Sequence, residues 1–119
     1  MSLVTVAQDA ATTAADALGT LIHETQGTDA YAVPSDVDAV LIELQIVAGR
    51  LPQALAQAGQ WISGATAAGR VGHDDGADVP EAVDALLADL IRAVGVATDL
   101  AALIDSARQV TSHLTAVTP

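Results

Sequence analysis

The chemistry open to this sequence rests on three His residues and fifteen acids, of which only Glu24, Glu43 and Glu81 are Glu. His73, Asp74 and Asp75 stand together between Gly72 and Gly76 and offer an imidazole and two carboxylates, a donor set suited to a divalent cation. The same run also has the composition of a solvated turn, and it lacks the alternating acids and terminal Glu of an EF-hand loop. A helical di-iron centre needs Glu paired with Glu-x-x-His on inward faces, and none of the three Glu has a His three residues on. Neither a phosphate-cradling Gly-rich loop nor a nucleophile elbow is present. No catalytic, cofactor-binding or metal-ligating residue is therefore assigned, and no cofactor is expected.

The elements that would position any such group are helices. Val37, Leu41, Leu44, Ala48, Leu51, Leu55, Ala58, Ile62 and Ala65 alternate steps of four and three, the rhythm of helices packed side by side. Val83, Leu87, Leu90, Val94, Ala97, Ala101 and Ile104 repeat it beyond the turn-forming stretch Arg70–Ala77. A shorter stripe, Val4, Ala7, Ala11, Ala14, Leu18 and Leu21, precedes both. The spacing predicts an all-α antiparallel bundle of three long helices in a single domain, 1–119. The helices are expected over about 5–26, 35–68 and 79–117.

Local signals set these limits. Thr5 with Gln8, and Asp78 with Glu81, have capping-box spacing, while Ser35 is placed to cap the second helix and Gly27 and Gly69 to end the first two. Tyr31 and Val33 are expected to fold over the end of the bundle. Gly49 and Pro52 weaken the second helix and Gly95 the third; breaks at Pro52 and Gly95 would raise the helix count to four or five. Because the stripe keeps its phase across Pro52, a kinked single helix is expected. With the turn centred between His73 and Asp74, Pro52 and Gly95 fall at one level, so Gly49, Pro52 and Gly95 are the candidate hinge.

After Gly95 a second apolar row opens: Val96, Leu100, Leu103, Ala107, Val110, Leu114 and Val117. A helix apolar over so wide an arc needs more than one neighbour. A first helix of about 35 Å covers only part of a third helix of nearly 60 Å at ~1.5 Å per residue. Val96, Leu100, Leu103, Val110, Leu114 and Val117 are therefore the candidate interaction surface. Trp61 shares a flanking row with Val40, Val47 and Ala54 and is expected to seal the bundle's end. Asp89–Arg92 and Asp105–Arg108 have the spacing of exposed i,i+3 ion pairs.

Composition narrows the classes further. The net charge is −11, and the four strong bases are Arg50, Arg70, Arg92 and Arg108. That balance excludes a phosphate-backbone binder and disfavours an anionic membrane surface, so no nucleic-acid or membrane partner is expected. Asp84, Asp89, Arg92 and Asp99 interrupt the most apolar stretch, so no membrane span is expected either. The absence of Cys is compatible with the cytoplasm, the expected location, and secretion without a classical signal peptide remains open.

Two resemblances bear on function. Histidine-phosphotransfer domains are four-helix bundles of about this length whose motif sets Leu two residues after the His, then Lys and Gly. His113 is followed by Leu114, Thr115 and Ala116, and His23 by Glu24 and Thr25, so the motif is not met. The hairpin also resembles the small WXG-type proteins of type VII secretion, which are Cys-free acidic helical hairpins, commonly dimeric. Trp61-Ile62-Ser63-Gly64 is the corresponding segment, one residue longer than the family's. The added N-terminal helix and the missing C-terminal Tyr–acid signal depart from that pattern. The function expected from the residues is that of a non-enzymatic helical interaction protein, a homodimer or the partner of another helical chain. A WXG-type secreted hairpin is one form of it, and a small-ligand-binding or enzymatic bundle is the alternative from a different class.

Overall fold

The structure, a computed structural model, describes residues 3–118, with side chains from residue 6 onward. The capping box and apolar positions expected at Val4 and Thr5 lie outside the described side chains. Three helices follow in order: α1 (Leu3–Glu24), α2 (Pro34–Ala67) and α3 (Val79–Thr111). Among the described residues there is no strand, and the architecture is all-α. Close backbone approach between helices is confined to α2 and α3, which form a long antiparallel hairpin. The molecule is correspondingly drawn out, 66 × 31 × 23 Å.

Both arms run unbroken. The α2 backbone continues through Pro52, and α3 continues through Gly95. The hairpin register follows from contacts across it: Asp38 with Thr111, Gln45 with Asp105, and Gly59 with Leu87 and Leu90. Those pairs place Pro52 and Gly95 at the same level. Gly95 is exposed, and a Cβ there would meet nothing within 4 Å. Gly95→Ala is therefore expected to raise stability by about 0.5–1 kcal/mol through helix propensity alone. A shift of the denaturant midpoint at constant slope would show it; a lower midpoint would mean that α3 must bend at Gly95.

Helix ends follow local chemistry, with corrections to the expected caps. Gly69 takes φ +72°, and the Arg70 and Gly69 amides donate to the Ala65 and Thr66 carbonyls at 2.9 and 3.0 Å. This Schellman arrangement satisfies the last carbonyls of α2. Gly27, at φ +85°, lies just beyond α1. Ser35 does not cap α2: the helix starts at Pro34, and the Asp36 carboxylate accepts from the Ala32 and Val33 amides. Asp78 holds the N-cap position of α3 without a side-chain hydrogen bond, because Pro80 in the first turn already removes one of the orphan donors.

The third helix stops at Thr111, short of the expected 117. Asp38, in the second turn of α2, already pairs with Thr111, so only the first turn of α2, from Pro34 to Val37, is left for residues farther on to pack against. A helix without burial is marginal. Here the Ser112 hydroxyl also turns back to the Gln109 carbonyl, and the His113 and Leu114 amides make tight three-residue turns. Leu114 instead meets the connection, where Tyr31, Val33, Pro34 and Val37 form a shallow cleft with it and Thr111. Tyr31 and Val33 do fold over that end.

The core is thin. Ala48, Ala65, Val83 and Ala97 are its buried apolar residues among those described, with Gly59 buried beside them. Two of the positions expected in the α2 stripe, Leu51 and Ala58, are exposed, and their neighbours Pro52 and Gly59 turn inward instead. The stripe returns to the seam at Leu55, Ile62 and Ala65, so the departures are local to the turns around Pro52 and Gly59. The α3 stripe is inward throughout, from Val83 to Ile104.

Candidate interaction surface

The polar groups expected to remain on the surface divide into two sets. At the turn, His73 Nδ1 lies 2.6 Å from Asp75 Oδ1 and 3.4 Å from Asp74 Oδ1. The Asp75 carboxylate also accepts from the Ala77 amide, and Gly76 adopts φ +79° to close the loop. The three side chains are exposed, and two of them, His73 and Asp75, accept hydrogen bonds from the turn's own amides. Near that end Trp61 is largely exposed and does not seal the bundle; the Arg70 guanidinium sits 5.8 Å from its ring centroid, a cation–π contact.

At the opposite end, the acids beside the stripe cross the hairpin. The Thr111 hydroxyl donates to Asp38 Oδ1 at 2.7 Å, and Arg108 Nε lies 3.4 Å from the same oxygen, too poorly directed for a hydrogen bond. Asp105 accepts from Gln45 Nε2 at 3.3 Å and from Gln109. The expected Asp105–Arg108 surface pair is therefore replaced by links between α2 and α3, whereas Asp89 and Arg92 do pair on the surface. Its trace in the sequence was the seven-residue spacing of Asp38 and Gln45 along the edge of the stripe.

The apolar surface is extensive. Val96 is 67% exposed, Leu103 69% and Val110 62%, with Leu100 also exposed. These four share one face of α3, and Ala107 completes the row. Leu114 and Val117, expected to continue it, lie beyond the helix end: Leu114 joins the connection cleft and Val117 is in the extended tail.

The first helix adds to this surface rather than covering it. Its described side chains from Val6 to Thr20 are all exposed. Only its last turns approach the hairpin, where Ala14, Ala17, Leu18 and Leu21 face Val40, Leu44 and Val47 across an apolar groove of about 530 Å³. Thr13, Thr20 and Thr25 return their hydroxyls to carbonyls four residues back, so the helix satisfies its own polar groups. On the other flank of α2, a cleft of about 390 Å³ opens between Leu55, Gly59, Leu87, Leu90 and Ile91.

By length and composition alone, α2 is long and apolar enough to cross a membrane, with an 18-residue window of mean hydropathy 1.3. In the hairpin that apolarity serves three directions at once: the α3 seam, the α1 groove and the cleft beside Gly59.

Comparison of the chain with protein-family models, with curated proteins and with solved structures returned no match.

Proposed function

We propose that this protein is a non-enzymatic helical interaction module that works by laying apolar helix faces against another helical chain. The observation that carries the reading is the exposed row Val96, Leu100, Leu103 and Val110 on α3. Apolar rows of this length on a helix that already has one partner mark a contact site. The undocked α1 supports it, since a 22-residue helix without tertiary packing is marginal in water. Gly49, Pro52 and Gly95 are the hinge in this reading, at which the hairpin would bend to follow its partner.

A WXG-type secreted hairpin is a special case, supported by the α2–α3 hairpin itself, although Trp61-Ile62-Ser63-Gly64 lies inside α2 rather than at the turn. The second reading, a small-ligand-binding bundle, is favoured by one observation, the apolar cleft beside Gly59; it calls for an elongated apolar ligand.

Sedimentation from low to high micromolar concentration tests the main reading. A species heavier than the 11.9 kDa chain is expected, with a melting temperature that rises with protein concentration by mass action. A monomer with a concentration-independent melt would overturn self-association.

A further inference from the structure

We infer that the partner on the α3 row is a second copy of this chain, joined about a twofold axis that passes beside Leu103. The inference rests on the association reading above and names its occupant and geometry.

The first support is area. The chain exposes 8749 Å², whereas a folded monomer of its mass is expected to expose about 5,900 Å². The excess, roughly 2,800 Å² per chain or about 5,600 Å² for two chains, reaches the upper end of what obligate dimers remove from water, and the exposed α1 accounts for part of it. With no residue bulkier than Val fully buried among those described, the larger apolar side chains are at best half-buried.

The second support is the symmetry of the row. Val96 and Val110 stand seven residues on either side of Leu103, and Leu100 and Ala107 stand three and four. A twofold contact requires a patch to complement itself. Antiparallel packing of two α3 helices about Leu103 sets Val96 against the partner's Val110 and Leu103 against itself.

The third support is charge. Two chains of −11 repel, so they can meet only where acids do not face acids. In this register Asp99 falls level with the partner's Ala107, Asp89 and Arg92 lie past the end of the partner's helix, and the row itself is uncharged. Self-association of this kind tightens as salt screens the repulsion, the reverse of what a basic partner would show.

The chain lacks Cys, which permits a direct test. Leu103→Cys and Ile91→Cys each place one thiol at an exposed site, the second on another flank of α3, where Ile91 is 72% exposed. Both proteins are treated with diamide, which takes up two hydrogens as two thiols join. On the axis, Leu103→Cys is expected to give a near-complete disulfide-linked dimer and Ile91→Cys little. Leu103→Asp, which sets two carboxylates face to face, is expected to weaken dimerisation by about a hundredfold or more in sedimentation.

A wild-type dimer that cross-links through Ile91→Cys but not Leu103→Cys, or a larger oligomer, overturns this inference and leaves the association reading standing. A wild-type monomer that neither thiol cross-links overturns both.

Discussion

Ala48→Leu is expected to destabilise the protein by about 2–3 kcal/mol, the upper part of the range for overpacking a tight seam. Ala48 is 2% exposed, and Ala97, near the same level of α3, is 6% exposed. Small residues on both arms let the two helix backbones come close, and three further carbons at that level must either push α3 away or adopt a strained rotamer. Farther along the seam, a Cβ at Gly59 would reach ordinary van der Waals contact with Leu87 and Leu90, 3.4 Å away. The change is expected to lower the melting temperature by about 10 °C. Ala102→Leu, on an exposed position of α3, is the matched control and is expected to stay within about 0.5 kcal/mol of wild type. Equal stability of the two variants would mean that α2 and α3 do not meet at Ala48.

The second large effect lies at the other end of the hairpin. Asp38→Ala is expected to cost about 1–2 kcal/mol, because it strands Arg108 and Thr111 together. The Asp38 side chain is 18% exposed and that of Arg108 27%, so water compensates part of the loss and the figure stays below that of a fully buried pair. Asp38→Leu combined with Arg108→Met removes both charges and fills the space with apolar groups; it is expected to recover most of the stability. A double-mutant cycle reads the coupling directly. If Asp38→Ala and Arg108→Ala add without coupling, the Asp38–Arg108 link contributes nothing and this end is held by the Gln45–Asp105 bond and the cleft of Tyr31, Val37 and Leu114.

Much of the fold was legible because helical periodicity is a local property. The α3 stripe from Val83 to Ile104 predicted its buried face residue by residue, since a helix that packs against one partner along its length repeats the same contact every turn. The C-terminal glycines of α1 and α2 were legible for an equally local reason: only Gly takes the positive φ without strain. On α2 the stripe leaves the seam at Leu51 and Ala58, where Pro52 and Gly59 turn inward instead, and returns to it at Ile62 and Ala65. Only the partner decides which rhythm the contact follows. The α3 end was misplaced by six residues because the apolar row runs on to Val117, whereas beyond the level of Asp38 α2 offers only its first turn, Pro34 to Val37.

The exposed row was readable as to residue type and less so as to extent. Val96, Leu100, Leu103 and Val110 share one face wherever α3 is helical, so their apolar character alone marked them. Whether α1 covers them depends on how a nine-residue connection, 25–33, directs a separate helix, and no periodicity encodes that.

By itself, then, the sequence determined the helical class and the hairpin with Pro52 and Gly95 level across it, because each follows from residue type at a spacing. Only the tertiary structure decided that α1 stands off the hairpin, that Asp38 and Asp105 reach across to the opposite arm, and that α3 stops at Thr111. Those outcomes turn on which surfaces come within a few ångströms of one another. The same His and Asp residues that first suggested chemistry end as a closed turn at one tip, and the α3 row is left as the surface with work to do.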